Sequence, residues 1–286
     1  LSGADFLDVR SQAAAPIDAL VASGTLRNIG TDRVAFRHDV LREWAIANAV
    51  HADPGLVAKL SLDRPATSLM ARGVELAARM AIERAADGAK WHALVERLSQ
   101  SGVHRSWRRA ALLALARSEA AEALLQRASP ELLANGAALL RELLRTVMAV
   151  EVISASKAFA AAGLDQDLIP ASLNIPRGPA WTKLIIWLLS IGDNVPNEAI
   201  PEIVQLYGVF SVGTLGATDI TRFTTRQIYR WLRLMEPRDA MPAPSEDTAF
   251  WGHLDRDGVE SLKSDLRDTF VMFARTTPAL AAEYLK

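Results

Sequence analysis

The chain has 286 residues, of which 50% are hydrophobic and 23% charged, and its formal net charge at pH 7 is −1. A chain of this length can bury one large hydrophobic core or two smaller ones. The near-neutral charge argues against a polycation that binds nucleic acid or an anionic membrane surface. The absence of cysteine excludes disulfides, thiolate zinc sites, iron–sulfur clusters and a cysteine nucleophile.

The N-terminal residues do not have the pattern of a targeting segment. The chain begins with Leu1 rather than Met, and residues 1–10 lack the basic start and apolar run of a signal peptide. The longest apolar run, Leu184 to Leu189, is far shorter than the roughly 20 residues that a membrane-spanning helix needs. We therefore expect a piece of a longer, cytoplasmic protein with no membrane contact.

Residues 1–53 are predicted to combine two helices with two short strands. A helix is expected over 16–23, because Pro16 suits the first turn of a helix and Gly24 suits its end. Strands are predicted over 25–28 and 33–37, with turn residues between them. The next helix is predicted over 38–50, and its spacing predicts a buried face of Val40, Leu41, Trp44, Ala45 and Asn48. This order of elements is typical of the distal half of a winged-helix domain.

From Pro54 onward the pattern predicts helices only. Ala and Leu dominate and lose little side-chain entropy in a helix, and Gly, Pro or Ser interrupts each helical stretch. The longest predicted helix covers 130–155. The fold class is therefore mainly α, a partial winged-helix domain followed by a HEAT-like α-solenoid or a helical bundle, and both arrangements of the helices stay open. A Pro-rich stretch over 165–179 divides the array into blocks 54–165 and 166–286.

The chain lacks the local motifs of common enzyme and metal sites. It contains no phosphate-binding loop of the GxxxxGK[ST] type, no GxGxxG after a strand, and no HExxH, GxSxG or EF-hand loop. No two histidines share a helix at metal-ligand spacing. We therefore expect neither a catalytic site nor a metal site in this segment.

One motif resembles a known family. The stretch from Val34 to Ala45, VAFRHDVLREWA, places His-Asp-Val-Leu-Arg between a strand and a helix. It resembles the MHD-type motif in the winged-helix domain of STAND NTPases, the signal-transduction ATPases that include NOD-like and plant resistance receptors. Arg37 stands where that family usually has Met. Bacterial members often have Phe-x-His-Asp here, which Phe36, His38 and Asp39 match.

The resemblance implies a nucleotide sensor. An imidazole at a strand-to-helix junction can donate a hydrogen bond to a phosphate on a neighbouring domain, and an Asp in the first helical turn can cap free N–H groups. By resemblance, His38 contacts the β-phosphate of ADP in a closed state, and Asp39 supports the junction. ADP or ATP would be held by the protein's own nucleotide-binding domain, which this segment lacks, so the segment alone would bind no nucleotide. The resemblance also implies homo-oligomers and an unidentified protein trigger.

A basic stripe is a second candidate site, for binding a partner. Its arginines recur at helical spacing beside Tyr229 and Trp231, and they are Arg222, Arg226, Arg230 and Arg233. Such a stripe suits phosphates, an acidic protein surface or single-stranded nucleic acid. The alternative is a solvated helix face whose arginine stems cover apolar neighbours. A run of charge on one helix face is most often solvated, which favours the second interpretation. The net charge of −1 makes nucleic acid an unexpected partner.

Two function classes follow from the sequence. The first is the regulatory and sensor-bearing part of a bacterial STAND-type signalling ATPase, in which the helical array recognises a ligand or partner. The alternative is an α-solenoid scaffold for protein–protein interaction with no nucleotide role. A winged-helix transcriptional regulator fits less well, because no basic recognition helix precedes the strands.

Overall fold

The computed structural model describes residues 14–29, 33–84, 88–161, 173–214, 218–235, 256–274, 278–279 and 282. These residues are mainly helical, which confirms the mainly α fold class. The chain divides into two compact units, residues 1–114 and 115–286. The winged-helix assignment, the solenoid and the blocks 54–165 and 166–286 stay predictions.

The first unit begins with the predicted helix–strand–strand–helix order. Its regular elements are α1 (Ala14–Ala22), β1 (Leu26–Ile29), β2 (Arg33–Phe36), α2 (Asp39–Ala52), a 3-10 helix (Pro54–Lys59), α3 (Ser68–Arg84), α4 (Ala89–Leu98) and α5 (Arg105–Arg117), and the division between the units falls within α5. The two strands are antiparallel, with Leu26 opposite Phe36 and Ile29 opposite Arg33. Each predicted element over 14–52 is present, with its bounds shifted by two residues or fewer.

The α1–β1–β2 segment has a small hydrophobic core. Ile17, Leu26 and Val34 are buried together, and Val21 and Phe36 pack against them. One apolar residue of the helix and one from each strand thus meet on a single side of the hairpin. A two-stranded hairpin is marginal in water by itself, so this packing against α1 is what stabilises it.

Helices α2 and α3 approach each other closely at Gly73. A Cβ atom built on Gly73 would lie 2.4 Å from Ile46 Cγ2 and 2.7 Å from Ile46 Cβ. Ala47 and Val50 are the buried residues of α2, and Val74 and Ala77 are buried on α3. The side of α2 that carries Ile46 is therefore the side that approaches α3.

Two buried tryptophans of the first unit each donate one hydrogen bond to a backbone carbonyl. Trp91 Nε1 donates to the carbonyl of Ala111 at 3.3 Å, and Trp107 Nε1 donates to the carbonyl of Arg64 at 2.8 Å. Both rings are almost fully buried. Buried indole N–H groups need such a partner, so each ring supplies apolar packing and one specific hydrogen bond.

The second unit is also mainly helical among its described residues. Its elements are α6 (Ala121–Arg127), α7 (Ser129–Val150), β3 (Val152–Ser154), α8 (Ala155–Ala161), β4 (Asn174–Pro176), α9 (Ala180–Ile191), 3-10 turns at 192–194 and 197–199, α10 (Ile200–Gly213), α11 (Asp219–Met235) and α12 (Arg256–Ala274). Within α7 the backbone makes a left-handed turn, with positive φ at Asn135, Gly136 and Ala137. Asn and Gly tolerate this conformation, which divides the long helix in two.

The prediction of helices only beyond Pro54 is wrong at one place. The predicted helix over 130–155 ends at Val150, and residues 152–154 pair antiparallel with 174–176. The predicted linker over 165–179 therefore contains a strand, and its residues 165–172 lie outside the described part. Local propensity did not reveal this ribbon, because each strand has only three residues and the two are far apart in sequence.

Glu151 fixes the chain where it leaves α7 and enters the ribbon. Its Oε1 accepts from Arg117 Nε at 2.8 Å and from Arg117 Nη2 at 2.5 Å. Its carbonyl accepts from Trp181 Nε1 at 2.5 Å and from the backbone N–H of Arg177 at 2.8 Å. Glu151, a charged residue at the end of α7, thus links α5, α9 and the residue that follows β4 in one hydrogen-bond network.

Aromatic side chains form the core between α10, α11 and α12. Tyr207 and Trp231 stack with their ring planes 2° apart and centroids 6.4 Å apart. Tyr229 packs at a tilt on Phe270, with centroids 5.6 Å apart. All four rings are buried. Burial also raises the pKa of the Tyr207 hydroxyl well above its usual value of 10, because the charged phenolate is disfavoured away from water.

Candidate functional site

The structure places His38 and Asp39 at the junction between β2 and α2. His38 is the residue before the helix, with φ −124° and ψ 139°, and its carbonyl accepts from the backbone N–H groups of Leu41 and Arg42. Its side chain makes no capping hydrogen bond and the residue is exposed. His38 is therefore accessible from solvent at this junction.

Asp39 has a different contact from the one expected. Its Oδ1 accepts from Arg42 Nη2 at 3.1 Å, one helical turn away, and its side chain is 79% exposed. We expected Asp39 to cap backbone N–H groups. An i,i+3 ion pair in the first turn also suits the helix, because a carboxylate there faces the positive end of the helix dipole.

The predicted buried face of α2 is wrong. Val40 is 60% exposed, Trp44 is 45% exposed and Leu41 is 36% exposed. Asn48 is exposed as well, and only Ala45 of the predicted set is partly buried. The helix has apolar residues on more than one side, and the side that approaches Gly73 of α3 is the one that carries Ile46. His38 consequently lies beside an exposed apolar face of Val40, Leu41 and Trp44.

The arginine stripe lies on the exposed side of α11. Arg222 Nη1 donates to Asp219 Oδ1 at 3.1 Å, and the guanidinium of Arg226 lies 5.8 Å from the ring centroid of Phe223. Arg230 is exposed, whereas the side chain of Arg233 lies outside the described part. The aromatic neighbours predicted from sequence, Tyr229 and Trp231, are instead buried in the core. Phe223, which is 52% exposed, is the aromatic residue on this surface.

A groove in the second unit is a candidate site that the sequence did not reveal. It runs along one face of α10 and has a volume of about 690 Å³. We call that face the α10 stripe; its residues recur at the spacing of a helix-packing surface and are Pro201, Val204, Gln205, Gly208, Val209 and Val212. Leu173, Asn174, Arg145 of α7, Glu202 of α10 and two aspartates of α12 also line the groove.

Charges of both signs line this groove. Glu202 is 6% exposed and accepts from Arg141 Nε at 3.2 and 3.3 Å and from Arg145 Nη2. Two guanidiniums thus share one carboxylate, and of these three groups Arg145 and Glu202 line the groove. Asp265 and Asp268 are one helical turn apart on α12, are exposed and also line the groove.

A signal for this groove exists in the sequence but is ambiguous. Residues 200–213 are apolar on most sides, so periodicity alone cannot separate the covered face from the open one. The charged lining residues come from distant parts of the chain, since Arg145 on α7 is 57 positions from Glu202 and the two aspartates are on α12. Only the folded chain brings them together.

Comparison with known proteins adds nothing to the resemblance between the His38–Asp39 motif and STAND NTPases. No protein-family model matches the chain, and no curated protein matches it.

Within the described residues, no three His, Asp or Glu side chains are grouped as a metal ion requires. No described helix combines the length and the apolar content that crossing a membrane would require.

Proposed function

We propose that the chain is the regulatory and sensor-bearing part of a STAND-type signalling ATPase. In this proposal residues 1–53 are the distal half of a winged-helix domain, and His38 contacts the β-phosphate of ADP held by the nucleotide-binding domain of the same cytoplasmic protein. The helical residues that follow recognise a partner. The observation that carries the proposal is the exposed imidazole at a strand-to-helix junction.

The surroundings of His38 support a role at a domain contact. Val40, Leu41 and Trp44 leave an apolar face in solvent directly beside it. Burying such a face against another domain is favourable by about 25 cal/mol per Å² of apolar surface. A neighbouring domain docked there would hold its nucleotide within reach of the imidazole. Because the imidazole contacts phosphate in one nucleotide state only, it would shift the equilibrium toward that state.

The test is the nucleotide content of the full-length protein. His38→Ala is expected to weaken ADP retention about 10- to 100-fold, since a hydrogen bond to a charged group contributes about 1.5–3 kcal/mol. Bound nucleotide is released by denaturation and quantified by chromatography, and the ADP dissociation rate is followed with a fluorescent analogue. His92→Ala, which removes an exposed histidine on α4, is the matched control. Unchanged ADP content and dissociation rate in His38→Ala would contradict the sensor role.

The second candidate function is a protein-interaction scaffold with no nucleotide role. The groove along α10 favours it, since an open trough lined by apolar and charged residues suits a protein segment. Full-length protein that carries no nucleotide and does not bind added ADP or ATP would favour this alternative.

A further inference from the structure

We draw no further inference here: the strongest candidate, the groove over the α10 stripe in the second unit, is lined by Arg145, which is already paired with Glu202, and nothing in the structure shows what covers it.

Discussion

The close approach of α2 to α3 leads to a sharp prediction for Gly73→Ala. The added methyl group would lie 2.4 Å from Ile46 Cγ2 and 2.7 Å from Ile46 Cβ, whereas carbon atoms in contact are about 3.5–4.0 Å apart. Rotating the Ile46 side chain does not relieve the contact with its Cβ, which is fixed by the backbone. The two helices must therefore move apart by about 1 Å.

Two opposing free-energy terms determine how Gly73→Ala changes the stability of the fold. Ala in a helix interior is favoured over Gly by about 1 kcal/mol. Overpacking a tight contact costs about 1–3 kcal/mol, and the upper part of that range applies because Ile46 has little rotamer freedom in a helix. We expect Gly73→Ala to lower the free energy of unfolding by about 1–2 kcal/mol, although the same change is stabilising at an unobstructed helical position.

The assay is urea denaturation of the full chain followed by circular dichroism. Ala93→Gly, at an exposed position of α4 in the same unit, measures the helix-propensity term alone. Ile46→Ala removes the closer of the two contacts, so it should cost about 1 kcal/mol less in the Gly73→Ala background than in the parent. A Gly73→Ala protein as stable as the parent, or more stable, would show that the helices do not pack at this point.

Three further predictions concern single side chains. Trp44→Ala should lower the free energy of unfolding by less than about 1 kcal/mol, because this ring is 45% exposed. Trp181→Ala, at a fully buried ring, should lower it by about 3–5 kcal/mol. Equal losses in denaturant titrations of the two variants would contradict the assigned faces. Burial and then two nearby cationic side chains lower the pKa of His51 below its usual 6.5. The unfolded chain therefore binds a proton at His51 more readily than the folded chain does, so stability is lost as pH falls below 6.5. We expect the melting temperature of His51→Gln to depend less on pH in that range than that of the parent. Burial raises the pKa of Tyr207 above its usual 10, so stability should fall above pH 10 as the unfolded chain ionises, and a Tyr207→Phe protein with the same alkaline decline would refute this cause.

The helix α2 shows how far periodicity determines packing. The pattern correctly predicted a helix here, and the described helix covers Asp39–Ala52. It predicted the wrong buried face, because apolar residues occur on more than one side of this helix. The side of α2 that carries Ile46 lies against Gly73 of α3, a residue whose place opposite α2 is a property of the tertiary structure.

The arginine stripe illustrates a partial prediction of a site. Helical spacing placed Arg222, Arg226 and Arg230 on one face, and that face is exposed. The prediction that Tyr229 and Trp231 lie beside the arginines on that surface is wrong, because both rings are buried. Tyr229 packs on Phe270 and Trp231 stacks on Tyr207, and these contacts depend on how α10, α11 and α12 pack.

The sequence by itself determined the helical character of the chain, the hairpin near its start and the place of His38 between a strand and a helix. These features depend on neighbours within one or two turns, which propensity and periodicity describe. The tertiary structure alone decided the faces that are buried, the β3–β4 ribbon and the groove along α10. Each of these depends on residues far apart in the chain, such as Arg141 and Glu202, and contacts of that kind form only when helices pack.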